Sequence, residues 1–140
     1  MPSIQQLVIC GLSGQEYALP IQETREIMRL TDITRLPGIP VHMEGVINLR
    51  GTVLPIINLA RLLGLPIDEN TGKERIVVVE EGGKRAGLVV GGVKEIGLYN
   101  EGELEAPVIN EREEGFISAV VNKGERLWLF LDVAKIVTCL

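Results

Sequence analysis

Residues 44–58 read EGVINLRGTVLPIIN and carry a clear local signal for structure. Two apolar runs rich in β-branched residues, Gly45–Leu49 and Thr52–Asn58, flank the dipeptide Arg50-Gly51. Branched side chains favour strands, and asparagine and glycine are typical turn residues. The stretch therefore predicts two strands joined by a tight turn with Arg50 at its tip. The Arg50 guanidinium is either an ordinary surface group or a fork of five donors suited to carboxylates or carbonyls of a partner.

The chain contains an internal repeat. Residues 7–27 align with residues 76–96 at an offset of 69, and residues 44–47 and 58–61 match residues 114–117 and 132–135. The matched pairs include Gly14 with Gly83, Leu19 with Leu88, and Glu26-Ile27 with Glu95-Ile96. Because the order of the matching segments agrees throughout, the sequence predicts two similar structural units.

Each unit is predicted to consist of short strands and one short closing helix. Four of the five strands expected in each unit can be located. They are Gln5–Leu12, Glu16–Leu19, Gly45–Leu49 and Thr52–Asn58 in the first unit, and Arg75–Glu81, Arg85–Val90, Gly115–Asn122 and Arg126–Leu131 in the second. The predicted closing helices are Leu59–Leu63 and Val133–Val137. Within Ile21–Met28, apolar and charged residues are spaced like one to two turns of helix, whereas Gly91-Gly92 discourages a helix in the second unit.

The predicted fold class is all-β with short helices. Five strands in roughly 60–70 residues suggest a small closed barrel, since closure removes exposed strand edges. We expect one domain over residues 1–140, made of two barrel subdomains at roughly residues 1–70 and 71–140. Barrels of this size are marginal alone. They are therefore expected to share an apolar core, and a terminal strand can cross between them.

Composition and charge exclude several classes of protein. Fourteen basic and nineteen acidic residues give a net charge of −5, and the chain has no basic arm for nucleic acid. It has no apolar run of about 18 residues that would span a bilayer, and no signal-peptide pattern at its start. Only two cysteines occur, Cys10 and Cys139, which favours a reducing compartment. We expect a cytoplasmic protein.

No catalytic or metal-binding constellation is recognisable in the sequence. His42 is the only histidine, and no CxxC or GxSxG motif is present. The stretch from Gly87 to Gly92 lacks phosphate-loop spacing and is interpreted as a strand ending in a bend. The acidic residues between Glu101 and Glu114 lack the ligand spacing of a calcium loop. We therefore predict a binding protein without enzymatic activity, cofactor or metal.

The sequence resembles the CheW-like chemotaxis coupling proteins. The resemblance rests on GVINLRGTVLPIINL (residues 45–59) with other blocks in the order typical of the family. These blocks are EYALPI followed by REI, then ITRLPGIP, RIVVVEEGGKRAGLVVGGVKEI and GERLWLFLDVAKIV. The resemblance implies two SH3-like barrels around a shared core. It also implies a non-enzymatic adaptor that binds the regulatory domain of the histidine kinase CheA and the cytoplasmic hairpin tip of methyl-accepting chemoreceptors. Such an adaptor is expected to reach the membrane only through its complexes with these receptors.

The resemblance also implies partner-binding residues. Arg50, Glu26 and Gly45 match family positions linked to partner binding, and Thr24 stands where relatives often have valine. The family's apolar groove between the barrels is matched by Val89, Val93 and Ile96. Read from the residues alone, Gly45 permits close strand packing, and Val93 and Ile96 belong to the core. The alternative functions are an isolated barrel that binds a ligand or nucleic acid, and an enzyme whose site is not recognised.

Overall fold

The computed structural model describes residues 4–67, 71–107 and 115–140. The strands are β1 Gln5–Leu12, β2 Gln15–Pro20, β3 Thr24–Arg29, β4 Met43–Leu49, β5 Thr52–Asn58, β6 Arg75–Glu81, β7 Lys84–Val90, β8 Gly92–Tyr99, β9 Leu104–Glu105, β10 Ile117–Asn122 and β11 Leu127–Leu131. The helices are α1 Leu59–Leu62 and α2 Val133–Val137, with short 3-10 turns at Ile21–Glu23 and Glu101–Glu103. None of the helices in these residues is long and apolar enough to cross a membrane.

The strands form two sheets, and each sheet takes strands from both halves of the chain. One sheet has the order β8-β1-β2-β11-β10-β9, and the other has the order β3-β6-β7-β5-β4. The first hairpin, β1–β2, thus joins the strands of the second half, and the second hairpin, β6–β7, joins those of the first. The link is a parallel pair in each case, β2 with β11 and β7 with β5. The two sheets therefore do not correspond to residues 1–70 and 71–140.

Both copies of the repeat are built alike. Asn58 caps α1 by accepting a hydrogen bond from the Arg61 amide (3.2 Å), and Asp132 caps α2 by accepting one from the Lys135 amide (3.1 Å). These two pairs are equivalent in the repeat. A side-chain oxygen at this position satisfies an amide that the first helical turn leaves without a partner. The duplication is therefore present in the local chemistry as well as in the strand order.

The largest apolar cluster lies between the sheets. It contains buried side chains from β1, β2, β5, β6, β7, β11 and both helices, including Val8, Leu19, Ile57, Leu88 and Ile136. There are also two smaller clusters, each formed by buried side chains of one sheet. One surrounds Trp128 and the other surrounds Ile76. Burial of this apolar surface is the main stabilising contribution. The predicted fold class, two SH3-like barrels with a shared hydrophobic core, is confirmed.

One local prediction was wrong. Residues 21–28 do not form one or two turns of α-helix: only Ile21–Glu23 is helical, as a 3-10 turn, and β3 begins at Thr24. β3 pairs antiparallel with β6, and this pairing outweighs the local spacing. Of the acidic connection at 101–114, residues 101–105 form a 3-10 turn and β9, and residues 108–114 lie outside the described residues.

Candidate functional site

Arg50 lies at the tip of the β4–β5 hairpin in a strained backbone conformation. Leu49 pairs with Thr52, so Arg50 and Gly51 form the entire loop, with φ of 48° and 85°. Positive φ at both central residues is typical of a type I′ turn. Its first position favours glycine, which has no Cβ atom, or asparagine, whose short polar side chain tolerates the left-handed region. Asn48 supports the turn by accepting a hydrogen bond from the Gly51 amide (2.9 Å). The turn geometry itself therefore does not select arginine.

The Arg50 side chain pairs with Glu26 on β3. Nη1 donates to Oε2 at 3.4 Å, and Nη2 donates to Oε1. The Arg50 side chain is 71% exposed and that of Glu26 is 31% exposed. The hydrogen bond from Arg50 lowers the pKa of Glu26, and the carboxylate raises the pKa of Arg50. A two-point pair fixes the direction of the guanidinium, although so exposed a pair contributes little to folding.

Further charges extend this ion pair across the same sheet. Arg85 on β7 donates to Glu80 on β6 through Nε (2.9 Å) and Nη2 (2.7 Å), and Arg25 Nε lies 3.6 Å from Glu80 Oε1. The positive charge of Arg85 also helps to lower the pKa of Glu26. The charged surface therefore spans β3, β6, β7 and the β4–β5 turn. Sequence reasoning did not select Arg85. Its position next to the predicted glycine turn of the second hairpin could have identified it.

Gly45 has a clear structural role. It is buried with a φ of 141°, and a Cβ atom built on it would lie 2.1 Å from the Thr34 carbonyl oxygen. Thr34 and Val46 exchange two backbone hydrogen bonds of 2.9 Å each, which connect the segment after β3 to β4. Only glycine allows this approach. The geometry supports the reading of Gly45 as a packing residue, and contact with a partner stays a prediction.

Thr24 and the three apolar residues of the predicted groove lie in different surroundings. The Thr24 hydroxyl donates to the Pro20 carbonyl (3.1 Å) and is half-buried. Val89 packs on the core of the five-stranded sheet, and Val93 packs against the core between the sheets. Ile96 lies on β8 opposite Val8 and is 48% exposed. Of the three groove residues, only Ile96 offers a large apolar surface.

Exposed aliphatic residues that the sequence analysis did not select lie near the Arg50 turn and beside Glu26. Val53, which pairs with Asn48 next to the turn, is 67% exposed. Ile27, the neighbour of Glu26 on β3, is also exposed. The alternation of side chains between the two faces of β5 could have identified Val53 as exposed, because it places Val53 on the face opposite buried Leu54.

Catalytic or metal chemistry finds little support in the described residues. No group of three or more His, Cys, Asp or Glu in residues 4–67, 71–107 and 115–140 could hold a metal ion. Cys10 is buried, and burial raises the pKa of its thiol to about 12, so it is not a nucleophilic thiolate at neutral pH. The single histidine, His42, contacts the Cys139 carbonyl oxygen through Nε2 (3.0 Å). This contact holds the C-terminal residues near the start of β4.

The fold and this surface describe an all-β binding module with an exposed, oriented arginine. Comparison with known proteins gives the same class: the model of the CheW-like domain matches residues 6–139. The chain is 30% identical over 130 residues to the chemotaxis protein CheW of Bacillus subtilis, covering 91% of this chain and 83% of that protein. It is also 30% identical over 126 residues to CheW of Thermotoga maritima, covering 90% and 83%.

Structural similarity agrees with these relatives. The crystal structure of the scaffolding protein TtCheW from Thermoanaerobacter tengcongensis has a TM-score of 0.86 and 28% sequence identity to this chain. The match covers 94% of this chain and 90% of that one. The chain therefore belongs to the CheW-like domain family, and it is a chemotaxis scaffold protein of that family.

Proposed function

We propose that this scaffold joins the regulatory domain of the histidine kinase CheA to the cytoplasmic hairpin tip of methyl-accepting chemoreceptors. The observation that carries the proposal is the Arg50–Glu26 pair, which holds a guanidinium outward on a turn that has no need of arginine. Arg50 contacts the kinase or another protein of the array. A chain with this role acts by binding alone, without a chemical step.

Glu26 acts as a positioning residue in this proposal. A free arginine side chain loses rotamer entropy when it is immobilised in an interface. Because Glu26 already holds both Nη atoms of Arg50, much of that entropy is lost before the partner arrives. The Arg50 Nε group and the solvent-facing side of the Arg50–Glu26 pair then bind a carboxylate or main-chain carbonyls of the partner. Exposed Val53 beside the turn supplies apolar area to the same contact.

The second contact is proposed on the edge strand β8. A receptor hairpin is an amphipathic helical structure, and an apolar surface binds such a helix through its apolar face. Ile96 and Leu98 are both exposed on this strand, and Val93, on the same strand, packs against the core between the sheets. The two contacts lie on different sheets, so kinase and receptor can bind at the same time.

Gel filtration tests the proposed function. The chain is mixed with the kinase regulatory domain and a soluble receptor hairpin, and we expect a ternary complex to elute ahead of each binary mixture. If the chain co-eluted with only the receptor hairpin or only the kinase domain, the result would contradict the joining role. Absence of both complexes, together with retention on immobilised nucleic acid, would instead favour the isolated nucleic-acid-binding barrel.

A further inference from the structure

Three basic residues lie together at one end of the five-stranded sheet, and none of them has a carboxylate partner among the described residues. Most lysine and arginine side chains in the described residues have a carboxylate within 4.0 Å. The described exceptions are Arg29, Lys73, Arg75, Lys84 and Lys135. Arg29, Lys73 and Arg75 form one group where β3 ends and β6 begins. In a chain of net charge −5, such a group is unexpected.

Arg29 and Arg75 are direct partners in the pairing of β3 with β6. Residues opposite each other on antiparallel strands have Cβ atoms roughly 4.5–5.5 Å apart, and like charges there are destabilising. The second half of the chain has the same register pair, in which Leu98 of β8 lies opposite Gln6 of β1. Since the fold accommodates neutral residues at the equivalent place, the architecture does not require two arginines.

Arg75 lines two cavities. The first has a volume of about 410 Å³, and the second a volume of about 500 Å³. The first is also lined by the cations Lys73 and Lys94 and by the main chain of Gly91-Gly92, and the second by Arg29 and Glu74. Concave volumes of a few hundred Å³ suit small ligands, whereas protein partners usually meet flatter surfaces.

The polar groups around Arg75 leave its guanidinium oriented and partly available. Its Nη1 donates to the carbonyls of Gly72 (3.4 Å) and Glu74 (2.8 Å), and Nε and Nη2 have no hydrogen bond within the described residues. The Glu74 carboxylate is bound by the Thr71 amide (2.8 Å) and hydroxyl (3.1 Å) and by the Gly72 amide (3.0 Å). Lys94 lies 3.6 Å from Glu16. Glu74 reduces the local positive charge without pairing to Arg75.

We propose that Arg29, Lys73 and Arg75 form a site for the phosphate groups of a small diphosphate, such as pyrophosphate or the diphosphate of a nucleotide. Two opposed guanidinium groups can bind one phosphate group bidentately from both sides. Lys73 and Lys94 face the neighbouring cavity, where a second phosphate group meets cations and glycine main chain. Bound phosphate also relieves the repulsion between the two arginines. This site is separate from the Arg50 turn and does not depend on the proposed adaptor role.

Calorimetric titration of the full chain with inorganic pyrophosphate, at constant ionic strength, tests the site. We expect saturable one-to-one binding that weakens as salt is added, because exposed charge interactions are screened. The Arg29→Leu and Arg75→Gln double variant, which copies the neutral pair of the other sheet, should bind about tenfold or more weakly. Its melting temperature should be unchanged or higher than that of the parent. The control variants Lys84→Gln and Lys135→Gln should bind like the parent.

Several results would overturn the site. The double variant could bind pyrophosphate as tightly as the parent, or the two control variants could lose as much binding as the double variant. Binding of the parent could also fail to saturate by about 10 mM pyrophosphate. Binding of a hexaglutamate peptide without binding of pyrophosphate would assign the basic group to an acidic protein segment instead. A lower melting temperature of the double variant would show that the arginines stabilise the fold. In that case Lys73→Gln, at an exposed residue, tests the site alone: it should weaken binding, and unchanged binding would refute the proposal.

Discussion

Glu26 and Glu95 occupy equivalent places in the two halves of the chain, and each is bound by an arginine from the turn of a hairpin in its own sheet. Glu26 lies opposite Val78 and is bound by Arg50, whereas Glu95 lies opposite Ile9 and is bound by Arg126. The surroundings of the two pairs differ. Arg126, which directly precedes β11, is also bound by Glu16 of β2 through two hydrogen bonds of 2.9 Å, so it links the start of β11 to β2 and β8. Among the described residues, the Arg50 side chain is bound by Glu26 alone, which leaves it available to a partner.

Replacement of Arg50 separates binding from folding. Arg50→Ala should weaken binding to the kinase regulatory domain about tenfold or more, through loss of charge-assisted hydrogen bonds, with little change in melting temperature. Arg50→Asn should weaken binding equally while raising the melting temperature by about 1–3 °C, because asparagine suits this turn position. Calorimetric titration and thermal melts measure both effects.

Lys84→Ala, an exposed lysine on the same sheet, is the matched control and should leave binding unchanged. Arg126→Ala should lower the melting temperature more than Arg50→Ala, because it removes contacts to both Glu16 and Glu95. Unfolding of the Arg50 variants, with no separable loss of binding, would show that Arg50 is structural.

Gly45 and Gly51 both have positive φ, but only Gly45 is enclosed by the chain. Gly45→Ala should destabilise the fold by about 3 kcal/mol or more, since its Cβ would overlap the Thr34 carbonyl. Gly51→Ala should cost only about 1–2 kcal/mol, because nothing lies within 4 Å of its Cβ. Urea denaturation of both variants gives the comparison. Equal losses of unfolding free energy would contradict the steric account.

Sequence reasoning predicted eight of the eleven described strands but not β3, β8 or β9, and it did not predict the parallel pairs that link the two halves. The alternation and turn residues around Arg50 are local, so β4, β5 and their tight turn follow from the sequence. The exchange of hairpins depends on contacts such as Ile56 with Gly87, which no local pattern encodes. The same limit applies to the site: the Arg50–Glu26 pair joins residues 24 positions apart, and the Ile21–Met28 spacing favoured the wrong element. Val89 and Val93 likewise pack against different cores, because their strands join different sheets.

Ile96 tests the receptor contact. Ile96→Lys should reduce binding of the receptor hairpin about tenfold or more and affect kinase binding less, since an apolar contact is replaced by a charge. The exposed position should leave the melting temperature nearly unchanged. Ile27→Lys, at the equivalent position of β3, is the matched control and should leave receptor binding close to that of the parent. Loss of kinase binding with intact receptor binding would reverse the assignment of the two surfaces.

Glu23 should make stability depend on pH. Burial, a hydrogen bond with Glu81 and the charge of Asp132 raise the pKa of Glu23 to about 7. The folded state therefore holds a proton that the unfolded state releases at lower pH, so this stabilisation is complete below the ordinary pKa and is lost as pH rises through about 7. Glu23→Gln should raise the melting temperature by about 2–4 °C at pH 8 and leave it nearly unchanged at pH 4. An equal effect at both pH values would contradict the raised pKa.

The exchanged hairpins predict that neither half of the chain folds alone. A fragment ending near Gly72 retains β3, β4 and β5 but loses β6 and β7, which lie between β3 and β5 in the sheet. The same cut removes β8 and β11 from both sides of the β1–β2 hairpin, and it exposes one side of the core between the sheets. Small domains with so little buried surface are not stable. Circular dichroism should therefore show an unfolded fragment, and the full chain should unfold in one cooperative step seen equally by calorimetry and fluorescence. A cooperative melt of the isolated fragment, or two separate transitions in the full chain, would contradict the dependence of each sheet on strands from both halves.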